Sequence, residues 1–499
     1  MVFKNRYLDL GEGFYQKTPP EPVANPALII FNRELAAEFS GSLNELDDQT
    51  LAEMFSGNRV HDSCEPLAMV YAGHQFGQFN PQLGDGRAIY LGELERVGGG
   101  ANTHTMDVQL KGSGPTEYSR SGDGRAALGP VLREYLVSEA MHKLHVPTTR
   151  ALAATTTGEK VARDKFLPGG VITRVASSFI RVGSFQYFAA QEDLAAIKKL
   201  ADYVIERNYP ELLSGSAQGN NPYTGLFEAI VERQAKLIAQ WMQLGFIHGV
   251  MNTDNVSVAG ETIDYGPCAF MDIYRHAQVY SYIDRMGRYA YNQQPPIGMW
   301  NLTRLAETLL PLFDDDTDAA VEIAKGILQK YFSIYEDAWL IGMRAKCGLT
   351  AVGDKDSDKA LIESLFDIMA DNSADFTLTF YYLSQLDAGA NEKDVSLREL
   401  FASASAIDAW LVRWRDRLAI ETQGDSERHS QMQSVNPVYI PRNHQIEAVI
   451  RAAEDRNDFA PFHALHEVLQ NPFQYQPGKD AYMLPPKPEE EIENTFCGT

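Results

Sequence analysis

The chain is short of cysteine, of basic charge and of long apolar runs. Four cysteines occur in 499 residues, at 64, 268, 347 and 497, with no CxxC pair and no metal-ligand spacing. A structural zinc site is therefore not expected. Lysine and arginine number 44 against 67 aspartates and glutamates, a formal net charge of −23. A surface of that sign repels DNA and RNA, so no nucleic-acid partner is expected. No stretch approaches the ~18–20 apolar residues of a membrane span. Residues 1–22 lack the apolar core of a secretion signal. Both absences lead to the expectation of a cytoplasmic protein with no membrane partner. The chain also has no GxxxxGKS/T and no full GxGxxG motif, so two common phosphate loops are excluded.

What is present belongs to a globular protein: 44% hydrophobic and 22% charged residues. The length suggests two to four compact units. Ala88–Leu94 and Met106–Lys111 read as strands around a flexible turn at Val97–Asn102. Pro130 lies at a helix start, and Val131, Leu132, Tyr135, Leu136 and Ala140 recur at helical spacing. Thr155–Lys160 reads as a hairpin turn and Val171–Val175 as a strand. Beyond 192 the pattern turns helical, with helices expected over Asp193–Asn208 and Tyr223–Leu244, the second ending at Gly245. Val256–Val258 and Thr262–Ile263 are short strand candidates. Residues 302–347, 358–388 and 396–418 read as mostly helical, and two further helices precede a Pro- and Glu-rich tail. The expected division is a sheet-rich lobe over 1–176, a helical lobe over 177–300, a helical extension over 301–484 and a mobile tail over 485–499. The fold class expected is α+β, a protein-kinase-like two-lobed arrangement with additional C-terminal helices.

The segment His248-Gly-Val-Met-Asn-Thr-Asp-Asn255, followed by Asp264-Tyr-Gly266, has the spacing of a kinase catalytic loop and its metal-binding residues. In that loop the proton-accepting Asp stands two residues after the His and five before the Asn. Here the position is Val250, which accepts no proton. Asn255 and Asp264 keep the spacing of a magnesium pair, one neutral and one anionic oxygen ligand. Asp254 stands beside Asn255, either as a displaced base or as a residue that hydrogen-bonds the loop. The pattern points to nucleotide chemistry other than ordinary phosphorylation.

Other residues fall in kinase order. Lys111 closes a strand, where such a lysine reaches nucleotide phosphates and pairs with a helical Glu; Glu134 sits on the next helix. Gly84-Asp-Gly-Arg87 recurs as Gly122-Asp-Gly-Arg125. Either these are two ordinary surface turns, or they bring Gly N–H groups and an Arg fork to phosphate. Arg174 and Arg181 lie in apolar surroundings, where an arginine needs either a structural carboxylate or a bound anion.

At these residues the sequence resembles the selenoprotein O family of pseudokinases over nearly its whole length. The matching blocks are Pro26–Asn32, Tyr71-Ala-Gly-His-Gln-Phe-Gly77, Leu83–Arg87, Gln109-Leu-Lys-Gly-Ser-Gly-Pro115, Ser121–Arg125, His248–Asn255 and Asp264-Tyr-Gly-Pro267. The resemblance implies protein adenylylation. ATP would be bound in a flipped orientation, and AMP would pass to a protein Ser, Thr or Tyr hydroxyl, the chain's own included. It implies Asp254 as proton acceptor and Asn255 and Asp264 as ligands of Mg²⁺ or Mn²⁺. Lys111, Asp123, Gly124, Gly84, Gly86, Arg87, Arg174 and Arg181 would be nucleotide-binding, and Glu134 the partner of Lys111. UMP transfer with manganese is a further implied activity. The family also carries selenocysteine or Cys third from the C-terminus, where Cys497 stands. Cys497 is then either half of a disulfide switch or a free thiol, and Cys268, four residues past Asp264, is its one candidate partner in that region.

Overall fold

One antiparallel sheet organises the first 176 residues. The computed structural model describes residues 2–39, 41–97, 105–216, 221–350 and 353–496. The strands in chain order are β1 (Tyr15–Lys17), β2 (Ala27–Phe31), β3 (Leu67–Met69), β4 (Gly73–Gln75) and β5 (Gln78–Asn80). Then come β6 (Ala88–Glu95), β7 (Thr105–Lys111), β8 (Ala126–Ala127), β9 (Arg150–Ala162) and β10 (Phe166–Ala176). Seven line up as β1-β3-β6-β7-β10-β9-β2, β8 adds to β10, and β4 and β5 form a separate hairpin. Ile172 pairs with Lys111 and Arg174 with Gln109. Side chains alternate with a period of two along a strand, so Gln109, Lys111 and Arg174 share one face.

The expected strands at 88–94 and 106–111 form as β6 and β7, each one residue longer at one end. The turn expected between them lies, from residue 98 on, outside the described residues. The turn expected at Thr155–Lys160 does not form. Those residues continue β9, and the chain reverses after Ala162. Gly158 takes φ +72, a Cβ there would meet Asn25 Cβ at 2.6 Å, and the β9–β10 pairing shifts register between Pro168 and Gly170. The glycine makes a bulge rather than a reversal, and the β-branched Thr155–Thr157 run keeps its strand.

Helix signals are obeyed closely. Pro222–Leu244 starts behind Asn221, whose side chain accepts from the N–H groups of Tyr223 and Thr224, and stops at Gly245 in the left-handed conformation, φ +68. Leu194–Asn208 begins after Asp193, which caps it. The two short strands expected near 256–263 reduce to single bridges, Arg181 with Ser257 and Thr148 with Thr262, because a turn at Gly260, φ +77, interrupts the segment. From Gln294 to Leu469 helices dominate. The architecture is α+β. No helix of the described residues is long and apolar enough to cross a membrane.

The C-terminal helices reach back to the helix that carries Glu134, Leu128–Lys143. Gly129 N–H donates to Glu454 Oε1 at 3.1 Å, and a Cβ at Gly129 would meet Glu454 and Ile450 at 2.9 Å. Tyr135 packs on Phe462 with ring centroids 5.7 Å apart. Fully buried Arg442 pairs with Asp272 and Asp375, tying the same region to the segment after Asp264. Further on, Thr495 bridges Ser281 and its hydroxyl donates to the Pro267 carbonyl at 2.5 Å. Cys268 is buried; Cys497 lies outside the described residues.

Candidate active site

Three cations, of which Arg174 and Arg181 are buried and Lys111 partly so, meet three carboxylates where the sheet faces the loops that follow Gly245. Lys111 Nζ lies 2.8 Å from Glu134 Oε2 and 3.4 Å from Asp264 Oδ1. Arg174 donates to Glu134 Oε1 and Asp264 Oδ1, each at 2.5 Å. Arg181, just before the helix Val182–Ala189, is 3.7 Å from Asp85 Oδ1 and 3.6 Å from Asp264 Oδ2, with its guanidinium 4.4 Å from the Tyr71 ring centre. Asp85 also accepts from Met69 N–H and from Gln109 Nε2. Charges this deep survive only when paired, and here three positives match three negatives. Burial alone would raise the Asp264 pKa, but Arg174, Lys111 and Arg181 outweigh it and hold the carboxyl well below its usual range. At Asp85 burial prevails over Arg181, and the pKa is raised.

The sequence placed Lys111, Glu134, Arg174, Arg181 and Asp264 here, and the structure brings all five together. Asp85 escaped notice. Gly-Asp-Gly reads as turn chemistry, and nothing local signals that this aspartate turns inward to meet an arginine 96 positions later.

Asp254 lies in a 3-10 turn, Thr253–Asn255. His248 anchors the loop: its Nε2 bonds the Ile263 carbonyl at 2.8 Å. Val250 is buried, and its carbonyl accepts from Asn255 Nδ2 at 3.0 Å. Asn255 thereby spends its nitrogen inward and leaves Oδ1 with no described donor. Asp254 is 7% exposed. Gln75 Nε2 donates to its Oδ2 at 3.2 Å, while Oδ1 is buried without a partner. Burial pushes its pKa up to about 6, against the Gln75 hydrogen bond.

The β4–β5 hairpin covers this loop and was not foreseen. Phe76 (φ 52) and Gly77 (φ 85) occupy a two-residue turn with positive φ at both positions. His74 N–H donates to Thr253 Oγ1 at 2.7 Å and Phe76 N–H to Asn252 Oδ1 at 3.0 Å. Gly73 packs on Asp254 so closely that a Cβ there would sit 2.4 Å from Oδ1. Gly73→Ala should therefore displace the carboxylate. On the expectation that Asp254 is the proton acceptor, a shift of about 1 Å costs up to ~10²-fold in rate, so turnover should fall by roughly that factor with nucleotide affinity unchanged. Separate determination of kcat and of the nucleotide Kd tests this; equal loss in both would contradict it.

The two GDGR turns differ. Gly84 (φ +76) lies against the Tyr118 ring, where a Cβ would clash at 2.3 Å, and a Cβ at Gly86 would be 2.8 Å from the Tyr118 carbonyl. Packing of the 115–119 segment alone thus requires both glycines. Arg87 is half-buried and pairs with no described side chain. In the second turn Gly124 (φ +63) abuts Gly114, with 2.1 Å left for a Cβ. Asp123 pairs with Arg163 at 2.9 Å, and Arg125 donates to the Glu21 carbonyl at 3.1 Å. No described contact joins Asp123 to the Lys111 cluster.

Asn255 and Asp264 offer oxygen ligands, and Asn255 Oδ1 has no described donor. This donor set fits a hard divalent cation such as Mg²⁺ or Mn²⁺. A second grouping, Asp387, Asp425 and His429, is already met by Lys393 and Arg428.

Comparison with known proteins gives the family. Residues 1–470 match the family model described as protein adenylyltransferase SelO. A protein nucleotidyltransferase YdiU of a Bradyrhizobium species is 55% identical over 497 residues, covering 100% of this chain and 99% of that protein. Proteins of the same name from Rhodopseudomonas palustris and Agrobacterium fabrum are each 54% identical, covering 100% of this chain and 99% and 100% of theirs. The chain belongs to the SelO/YdiU family of protein nucleotidyltransferases.

Proposed function

We propose that this chain is a cytoplasmic protein adenylyltransferase. It moves AMP from ATP to Ser, Thr or Tyr hydroxyls of acceptor proteins, itself among them, and uses UTP as a second nucleotide donor. The observation that carries this reading is the exchange within one loop: Val250 where a kinase base would stand, and a buried, half-satisfied Asp254 carboxylate beside Asn255. The fold is read as kinase-like and two-lobed, with 1–176 as the nucleotide-binding lobe, 177–300 as the catalytic lobe, 301–484 as its helical extension and 485–499 as a tail.

In this reading the acceptor oxygen attacks the α-phosphorus, and the bond from that phosphorus to the β-bridging oxygen breaks. AMP stays on the acceptor and pyrophosphate leaves. Asp254 Oδ1, aimed at no other donor, takes the hydroxyl proton. Lys111, Arg174 and Arg181 exchange part of their contacts with Glu134, Asp264 and Asp85 for phosphate oxygens, and Arg87 adds a further guanidinium. Gly84, Gly86, Asp123 and Gly124 are assigned nucleotide contacts by their match to the family blocks. Glu134 keeps Lys111 in place. Asn255 and Asp264 would hold Mg²⁺ or Mn²⁺, which when bound supplies charge neutralisation to the phosphates.

ATP labelled at the α- or the γ-phosphate separates the possibilities. Protein labelled from α-ATP and not from γ-ATP is the expected result. Label from γ-ATP alone would make the chain an ordinary kinase. Nucleotide binding with no label from either would make it a nucleotide-binding scaffold, the reading that Val250 taken by itself favours.

A further inference from the structure

We propose that the surface beside Asp254 docks an acidic segment of the acceptor protein, with Arg288 as the specificity-determining residue. This rests on the reading of the chain as a protein-modifying transferase and names the kind of acceptor it takes.

The β4–β5 hairpin connects the two places. Gln75 bonds Asp254, and two residues on, a Cβ at Gly77 would sit 3.5 Å from Arg288 Cζ. Tyr289 fixes the other side: its hydroxyl donates to Asn252 Oδ1 at 2.6 Å and accepts from Phe76 N–H at 3.1 Å. Arg288 is thus held next to the Asp254 loop without touching it. Its guanidinium lies 4.6 Å from the Trp300 ring centre, and that of Arg304 lies 5.3 Å from the same ring. The His74 ring meets Trp300 edge-on at 5.2 Å.

Arg288 lacks an anion. Its Nε and Nη2 are buried with no hydrogen-bond partner, and no described carboxylate lies within ion-pair distance of it or of exposed Arg285. Arg304 has one, the rim residue Glu307 at 2.6 Å. In a chain of net charge −23, arginines left without carboxylates beside the reacting loop are conspicuous. Orphaned guanidinium donors are costly to bury, and the charge of this half-buried side chain attracts a carboxylate at the part left open to solvent. In the segment just before Arg288, Tyr282 and Ile283 are exposed and Met286 is 94% exposed, and exposed Phe496 packs on Tyr282 at 5.1 Å. An extended chain with a carboxylate on Arg288 and apolar neighbours on this patch would bring a nearby hydroxyl to Asp254.

Random copolymers of Glu and Tyr and of Lys and Tyr serve as acceptor probes with α-labelled ATP. The native chain should label the Glu–Tyr polymer about tenfold faster, the scale of one charge-assisted hydrogen bond. Arg288→Glu should abolish that preference and Arg288→Lys retain most of it, with the ATP Kd unchanged in both. Arg285→Glu, at an exposed position, should reduce the preference partly. Equal labelling of the two polymers by the native chain, an undiminished preference in Arg288→Glu, or a shifted ATP Kd would each overturn the proposal. Fluorescence anisotropy of labelled Glu–Tyr polymer without nucleotide gives a second readout. Binding that Arg288→Glu weakens, with no α-label transferred to any acceptor, would sink the transferase reading and leave the docking surface standing.

Discussion

Asp254→Asn is expected to slow transfer of nucleotide to protein by about 10²–10⁴-fold, the usual worth of a positioned general base, while ATP still binds. Asparagine keeps the shape and the Gln75 contact but takes no proton. The same change should stabilise the fold above pH 6. The Asp254 pKa rises from 3.8 to about 6 on folding, so the folded state binds the proton more tightly than the unfolded one. Native stability is then full below about pH 4 and declines as pH rises to about 6. The loss amounts to at most about 3 kcal/mol, since each pKa unit is ~1.4 kcal/mol. Asparagine removes this loss, so the Tm advantage of the variant should be present at pH 8 and gone at pH 4. In the native chain kcat/KM should rise with pH to a plateau, its midpoint at or below about 6, because a nearby cation favours the ionised carboxylate. Single-turnover rates and melting curves at the two pH values test both halves; an unchanged rate would remove Asp254 from the chemistry.

Arg174→Met is expected to cost about 3–5 kcal/mol of stability, the penalty for stripping a buried pair of one partner. Glu134 and Asp264 would be left facing each other with only Lys111 between them. The depressed Asp264 pKa is a stability contribution present above the ordinary aspartate range and lost as pH falls through the folded value. Without Arg174 that contribution shrinks, so the destabilisation should be larger at pH 7 than at pH 3. Adding Asp264→Asn should recover part of it, with a coupling of roughly 0.5–3 kcal/mol. Guanidinium unfolding midpoints for the two single variants and the double provide the measurement. Additive losses would mean that the cluster is not a mutually dependent unit.

How far these positions could be read from sequence depended on how local their causes are. Gly245 ends its helix because a cap acts within one turn, and that limit was legible; the start was read at Tyr223, one residue late, because the Asn221 cap went unread. Lys111, Glu134 and Asp264 were found through order along the chain, and they converge in space. Gly158 misled because glycine serves a bulge as readily as a hairpin; the difference lay in its contact with Asn25, 133 positions earlier. Asp85 and the β4–β5 hairpin were invisible for a similar reason. Their partners, Arg181, Asp254 and Thr253, lie far along the chain, and only the folded arrangement turns a surface-type Gly-Asp-Gly or a Gly-His-Gln-Phe-Gly run into part of a site. The repeated GDGR motif shows the converse: identical residues serve different surroundings, with Arg125 held by the backbone near Glu21 and Arg87 left without an ion-pair partner.

The proposed chemistry turns on a relocated base that directs the nucleophile to the innermost phosphorus. The most direct measurement is the intact mass of the chain and of acceptor proteins after incubation with ATP and Mg²⁺ or Mn²⁺. A gain of one AMP per modified hydroxyl, absent from Asp254→Asn, is the predicted result. A gain of one phosphate, or AMP addition that persists in Asp254→Asn, would contradict it.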